Sequence, residues 1–188
     1  MVDLTVDRSN SVTAQEWDQR TKLAAVYRAF ARMGWDDLIY THISARVPGP
    51  EAHFLINPFG LMYEEVTASN LVKIDLAGEK VEADEPNEIN YAGYIIHSAV
   101  HEALENIHCV VHLHTDWGVA VASQKNGLLP LSQFNLFHYG GVAYHDYEGL
   151  ALDADEKQRL VGDLGVHRMM VLRNHGTMTV GETIGEAF

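Results

Sequence analysis

Three histidines are the residues of this chain whose types and spacing best suit a chemical role. His112 and His114 form a His-X-His pair at the end of an apolar run. His175 closely follows a second apolar run, Met169–Leu172. On an extended strand, side chains two positions apart project from one face about 6.6 Å apart, whereas residues two apart on a helix do not face each other. The pattern favours one metal ion held by three imidazoles.

The same strand alternation assigns the neighbours of the pair. Val110 shares the face of the two histidines, while Cys109 and Val111 point the other way. Cys109 is therefore expected to be a packing residue. Gly176, which follows His175, is expected to supply the backbone freedom for a sharp exit from the site. The alternative reading is that these histidines are structural or solvated, since the chain has eleven histidines.

The composition limits the class of protein and its partners. A chain of 188 residues with 47% apolar content is expected to form one compact domain. Its 13 basic and 26 acidic residues give a net charge of −13. That charge repels phosphate backbones and anionic lipids, so neither nucleic acid nor a membrane is an expected partner. The first residues lack the apolar core of a secretion signal, and a single cysteine suits a reducing compartment. We expect a cytoplasmic protein.

Local patterns predict the elements before the histidine pair. Thr13 and Glu16 form a capping box that opens a first helix, which runs to about Met33. Short strands are predicted at residues 41–47, 53–56, 71–76 and 80–82, separated by turns. A second helix, starting near Asn87 or Asn90 and running to about residue 105, leads directly into the His-X-His strand.

Further elements are predicted after the pair. They are a helix over 117–124, a strand within 140–147, a helix that stops at Gly165 and a last helix over 184–188. Asp116 is expected to cap the first of these helices, and Asp153 with Glu156 the second. The last helix is too short to be stable alone, so we expect the sequence to be a fragment truncated at its C-terminus.

The order of these elements and motifs resembles the class II aldolase/adducin family, in particular its bacterial adducin-type branch. The stretches that carry the resemblance cover nearly all of the chain and lie at residues 41–46, 56–60, 97–99, 138–149 and 172–176. The resemblance implies an α/β fold in one domain over 1–188, a three-layer α/β/α sandwich with a mostly antiparallel central sheet. It also implies a homo-oligomer, a tetramer with the cleft at a subunit boundary.

The resemblance also assigns the metal ligands and a reaction. His112, His114 and His175 take the ligand positions, with zinc as the first choice and manganese, iron or cobalt also suited to three imidazoles and an open position. The ion is expected to neutralise charge that develops as a C–C bond of the substrate breaks. The implied function is a lyase that cleaves a small hydroxy-carbonyl or carboxylate substrate by an aldol or decarboxylative route. The alternatives are a non-catalytic adducin-like assembly domain and an iron-dependent oxygenase on the same fold.

The sequence departs from the aldolase pattern at the proton carrier. The family aldolases have a glutamate before the helix that precedes the His-X-His strand, whereas the ungapped equivalent here is Gly93. Glu88, or Glu85, is the candidate catalytic base, provided that the start of the helix is remodelled. The alternative for Glu88 is a first-turn carboxylate favoured by the helix dipole.

The phosphate-binding elements of the aldolases are changed as well. Phe59 stands where they have a hydroxyl donor, and His42 stands where they have an amide, so a phosphorylated sugar is a less expected substrate. The candidate substrate-binding residues are Ser44, Asn57, Gly60 and His145. Turn chemistry is the alternative for the first three. His97 and His101, four apart on one helix face, are further candidates for the cleft, with surface exposure as the alternative.

Overall fold

The first helix forms where the sequence predicts it. A computed structural model describes residues 11–149 and 156–188 of the chain. In it, α1 spans Ala14–Met33, begins after Thr13, whose side chain accepts a hydrogen bond from Glu16 N (3.1 Å), and ends at a left-handed Gly34. The predicted reciprocal bond from the Glu16 side chain is replaced, because that carboxylate is buried and accepts a hydrogen bond from Arg20 Nε (2.8 Å). In the bond to Arg20 both partners are ionised, whereas in the predicted bond to a backbone amide only the carboxylate would be.

Seven strands of the described residues form one sheet. They are β1 (His42–Arg46), β2 (Phe54–Ile56), β3 (Val72–Ile74), β4 (Cys109–Leu113), β5 (Val142–His145), β6 (Met169–Leu172) and β7 (Gly176–Gly181). Their order across the sheet is β3-β2-β1-β4-β7-β6-β5, and neighbours are antiparallel except for the parallel pair of β5 and β6. The mostly antiparallel sheet is therefore confirmed, with the strand of the His-X-His pair at its centre.

Short helices fill the connections. They are a 3₁₀ turn (Tyr63–Glu65), α2 (Tyr91–Ala103), α3 (Asp116–Ala122), α4 (Gln133–His138), α5 (Glu156–Leu164) and α6 (Ile184–Ala187). Of the two predicted starts of α2, Asn90 is the cap. The predicted cap of α3 was wrong: the hydroxyl of Thr115 accepts the backbone bond, and Asp116 is the first helical residue. Asp153, the predicted cap of α5, lies outside the described residues.

Three elements were not predicted, and one predicted strand was wrong. The 3₁₀ turn, α4 and β7 have no counterpart among the predicted elements. Residues 80–82 contribute a single bridge, from Lys80 to Ile74, and no strand. Two backbone bonds flank that bridge, from Asp75 N to Glu79 O (3.0 Å) and from Val81 N to Lys73 O (3.0 Å), and the chain turns back at Gly78, whose N–H donates to Asp75 O (3.1 Å).

Two hydrophobic cores, one on each face of the sheet, confirm the three-layer sandwich. One core joins α2 and α5 to side chains such as Val110 and Met178. The other joins α1 and α6 to side chains such as Cys109 and Val111. Adjacent residues of β4 thus enter opposite cores, as strand alternation requires. Within the described residues, none of the helices has both the length and the apolar character that a bilayer crossing demands.

Candidate metal centre

The sheet brings the three predicted histidines together. His112 is the fourth residue of β4, His114 follows its end, and His175 lies in the turn between β6 and β7. β4 and β7 pair antiparallel with Leu113 opposite Thr177, which sets that turn beside the end of β4. One ring nitrogen from each histidine lies within 4.8 Å of the other two. Residues distant in sequence therefore form a compact cluster of three imidazoles.

Hydrogen bonds behind the cluster set the tautomers of two rings. The Nδ1 of His112 lies 3.1 Å from the backbone oxygen of Thr177, and the Nδ1 of His114 lies 3.0 Å from the Asp37 carboxylate. Both partners can only accept, so each Nδ1 carries the hydrogen and each Nε2 keeps a lone pair. A carboxylate or carbonyl behind the imidazole is the arrangement that orients histidine ligands of metals.

The two lone pairs face each other at a distance suited to an ion. His112 Nε2 and His114 Nε2 are 2.9 Å apart. Two nitrogens bound tetrahedrally to zinc, at bonds of about 2.0–2.1 Å, are separated by about 3.3 Å. A cation between them would turn a repulsive contact into two bonds with a shift of a few tenths of an ångström. The donor set therefore fits a divalent ion.

Burial keeps the ligand candidates neutral, as metal binding requires. Desolvation lowers the pKa of His112 well below its usual value, and the neighbouring His42, His175 and His114 lower it further. The pKa of His175 falls to about 4, again mainly through desolvation, with His114 as the next cause. Both rings hold a lone pair at pH 7 without competition from a proton.

The turn that carries His175 corrects the expected role of Gly176. Asn174, not Gly176, adopts the left-handed conformation (φ 56°), and its backbone N–H donates to Ala122 O (3.0 Å). Gly176 is needed for close approach, since a Cβ there would lie 2.5 Å from Leu113 O and 2.9 Å from the His114 ring. The small residue lets β7 come near enough to β4 for the three rings to meet.

A cavity of about 300 Å³ opens onto the cluster. The residues that line it are Asp37, Tyr40, His42, Asn90, Ala92, Ile96, His112, His114, Tyr147, Gly149, Asn174 and His175. Among these described residues there is neither lysine nor arginine. The described wall therefore offers hydroxyls, amides, imidazoles and the Asp37 carboxylate, and no fixed positive charge for a dianion.

Comparison with known proteins identifies the family. The family model of the class II aldolase and adducin N-terminal domain matches residues 21–188. The chain belongs to the class II aldolase/adducin family. This confirms the resemblance on which the ligand assignment was based.

Solved structures and relatives of the family differ in what their names say. The crystal structure of an aldolase II superfamily protein from Pseudomonas syringae is 55% identical (TM-score 0.92), covering 95% of this chain and 72% of that one. L-fuculose 1-phosphate aldolase from Glaciozyma antarctica is 31% identical (TM-score 0.81), covering 93% and 68%. Mouse alpha-adducin is 49% identical over 171 residues, which are 90% of this chain and 23% of alpha-adducin. The family thus includes members named as aldolases and members named as adducins.

The space beside Gly93, the position that the resemblance matches to the aldolase glutamate, is filled by another side chain. A Cβ on Gly93 would lie 2.7–2.9 Å from the ring of His42. The ring of His42 occupies the space that a larger residue at this helix position would need. Glu88 lies outside the cavity lining, 2.8 Å from Lys80 Nζ, with 76% of its side chain exposed. Its role as a base stays a prediction.

The predicted substrate-binding residues lie in three different places. Ser44 is fully buried behind His42, and Asn57 is buried where it accepts a hydrogen bond from the Tyr27 hydroxyl (2.8 Å). Gly60 is an exposed turn residue with φ 93°. None of these three lines the cavity of the histidine cluster. Their assignment, like that of His145, stays a prediction.

His145 lines a second, smaller depression that it shares with His175. The Nδ1 of His145 donates to the Asp163 carboxylate (2.7 Å), and its Nε2 lies 3.6 Å from Glu156. This histidine is therefore held between two carboxylates of α5.

Sequence reasoning missed Asp37 and Tyr40. Both lie in the connection after α1, where no periodic pattern indicates their direction. Asp37 is distant in sequence from His114, and only the folded chain brings them into contact. One general rule could have suggested Asp37: a histidine that binds a metal commonly hydrogen-bonds a carboxylate through its other ring nitrogen. An acidic pair, Asp36 and Asp37, follows the first helix and could have been considered for that role.

Removing the carboxylate behind His114 is expected to weaken metal binding. Asp37→Ala should lower the affinity for Zn²⁺ about 10–100-fold, because the ring loses the acceptor that holds its tautomer and orientation. Asp36→Ala removes the adjacent carboxylate and should leave the affinity unchanged. Competition with a chelating dye measures both constants. Equal affinities for the two variants would refute the role of Asp37.

The free energy of unfolding of the metal-free protein is expected to decrease as the pH is lowered. Burial lowers the pKa of His97 well below its usual value and that of His101 to about 3. As the pH falls through about 6.5, these histidines take up protons in the unfolded chain, whereas in the folded protein their rings stay neutral. Proton uptake therefore favours the unfolded state, and the stability that the protein has above about pH 6.5 is progressively lost toward about pH 4. Each buried histidine contributes up to about 1.4 kcal/mol per pH unit. Urea unfolding in EDTA at pH 7 and pH 5 tests this, and equal unfolding free energies would contradict it.

Proposed function

We propose that the chain is a divalent-metal-dependent lyase, with zinc as the ion and His112, His114 and His175 as its ligands. The observation that supports this is the pair of Nε2 lone pairs held face to face by the bonds of both Nδ1 atoms. The same ligands suit manganese, iron or cobalt. Three histidines with an open coordination position are typical of catalytic and not structural sites.

The proposed reaction is cleavage of a C–C bond in a small hydroxy-carbonyl or carboxylate substrate, by an aldol or decarboxylative route. A bound ion would act as a Lewis acid at substrate oxygens. The chain itself contributes a partly enclosed wall in which Tyr40 and Tyr147 offer hydroxyls and Asn90 and Asn174 offer amides. Because the described wall lacks lysine and arginine, we propose a substrate without a phosphate group.

Metal uptake tests the ligand assignment. Purified protein reconstituted with Zn²⁺ should hold about one equivalent by elemental analysis. His114→Ala should abolish uptake because it removes a ligand, whereas Cys109→Ala, on the opposite face of β4, should retain it. Wild-type protein that holds less than about one-tenth of an equivalent of any transition metal would rule out the enzyme.

Catalytic activity is expected to require the bound metal ion. Zinc-loaded protein incubated with a panel of unphosphorylated hydroxy-carbonyl and hydroxy-acid compounds should convert one class to a smaller carbonyl product, detected by NMR. EDTA and His114→Ala should both abolish the conversion, and Cys109→Ala should not. Conversion that survives chelation would refute the metal-dependent reaction.

A second function, self-assembly, is favoured by the surface around α4. This helix has no buried residue, and Phe134 and Phe137 are 79% and 73% exposed. An isolated helix of six residues is marginal in water, so a covering partner would stabilise it. The stretch 126–144 contains no aspartate, glutamate, lysine or arginine, so two chains of net charge −13 could meet there with little repulsion. We propose that copies of this chain assemble through α4, as a tetramer.

A charge placed on α4 is expected to break the assembly. Phe137→Asp should shift the protein from an oligomer to a monomer in light scattering, because a carboxylate in an apolar contact loses its hydration. Val166→Asp, on a side chain that is 93% exposed elsewhere, serves as the matched control. A wild-type monomer, or an unchanged oligomer in the α4 variant, would exclude this surface.

A further inference from the structure

A chain of four buried polar groups runs from the metal cavity into the protein. His42 Nδ1 lies 2.8 Å from His97 Nε2, and His97 Nδ1 lies 2.6 Å from the Ser44 hydroxyl. The same hydroxyl lies 2.8 Å from His101 Nε2. All four residues are at most 2% exposed. Polar groups this deeply buried are costly unless each is hydrogen-bonded.

The sequence positions explain how the chain of bonds forms. His42 and Ser44 are two apart on β1 and share one face of the strand. His97 and His101 are four apart on α2 and share one face of the helix. β1 pairs with β4 so that His42 lies directly opposite His112, with ring centres 5.0 Å apart. The strand delivers one end of the chain to the metal cluster, and the helix packs over the rest.

The hydrogen bonds couple the tautomers of the three rings. A neutral imidazole has one N–H and one lone pair, and a serine hydroxyl both donates and accepts. Choosing the hydrogen position on one ring therefore fixes the position on the next. Burial lowers the pKa of His42, as it does those of His97 and His101. The rings are neutral at pH 7, so the chain orients dipoles and stores no charge.

The cavity end of the chain is left open. His42 lines the cavity, and its Nε2 has no hydrogen-bond partner among the described residues. Gly93 makes room for this edge of the ring, since a Cβ there would lie 2.9 Å from Nε2. At the other end, the buried Nδ1 of His101 also lacks a partner among the described residues, but His101 does not line the cavity, so only the His42 end can meet a ligand. An oxygen of a ligand in the cavity could form a hydrogen bond with His42 Nε2 and extend this chain of hydrogen bonds.

We propose that His42 is a substrate-contacting residue whose Nε2 hydrogen-bonds an oxygen of the hydroxy-carbonyl or carboxylate substrate, and that His97, Ser44 and His101 are positioning residues for its ring. This rests on the proposed metal-dependent function. A neutral imidazole that polarises a substrate oxygen is an established electrostatic device in enzymes. In this chain the ring fills the space beside Gly93, where a larger side chain would otherwise lie.

Glycolate binding to the cobalt-loaded protein tests the proposal. Co²⁺ has visible absorption bands that shift when a hydroxy-carboxylate enters its coordination shell, so one titration gives the glycolate affinity. His42→Ala should weaken glycolate binding about tenfold, the effect of losing one hydrogen bond to a charged group. Ser44→Ala, which cuts the chain behind His42, should weaken it about threefold. Co²⁺ affinity, measured with a chelating dye, should stay unchanged in both variants.

A matched control separates positioning from loss of a buried hydroxyl. Ser98→Ala removes a fully buried serine next to His97 whose hydroxyl donates to the Ile95 carbonyl (3.4 Å). It should bind glycolate like the wild type. Equal glycolate affinity in the wild type and in both His42→Ala and Ser44→Ala would overturn the proposal, as would no response of the wild type to millimolar glycolate. Failure of the wild type to bind Co²⁺ would instead overturn the metal-dependent function on which it rests.

Discussion

The register of β4 between β1 and β7 is the constraint on which the rest of the structure depends. His112 pairs with His42 on one side and with Met178 on the other. Because both faces of β4 are buried, a slip of one residue would move every side chain to the opposite face. Leu113 would then enter the metal site and His112 the core under α1. The cost of that exchange holds the imidazole in place without any ion.

Elements with a strong local pattern could be predicted from the sequence, and the others could not. α1 has an apolar stripe and a capping threonine, β6 is a short apolar run, and Asn90 caps α2, so their existence follows from adjacent residues. α4 buries nothing within the described residues, and a helix without a buried face has no periodicity to detect. β7 alternates threonine with larger residues between two glycines, and it becomes a strand because β4 and β6 flank it.

The candidate site divides in the same way. The histidine pair and His175 were found because each follows an apolar run, a local signal. Asp37 and the interior partners of His42 were not found as a connected set, because contacts across the sheet decide which polar groups meet. The turn before β7 shows the same limit. From the sequence, Gly176 was expected to provide backbone freedom, whereas in the structure Asn174 adopts the left-handed conformation and Gly176 allows β7 to approach β4 closely. A glycine in sequence does not say which of its two properties is used.

The position of Cys109 has a consequence for the chemical behaviour of the whole chain. Its side chain is fully buried in the core under α1, and burial raises the pKa of the thiol to about 12. At pH 7 about one such thiol in 10⁵ is ionised, and only the thiolate reacts with alkylating agents and peroxide. This thiol is therefore inert to mild oxidants while the chain is folded. The rate at which this single cysteine is alkylated therefore reports how often β4, the strand that leads into the histidine pair, opens to solvent.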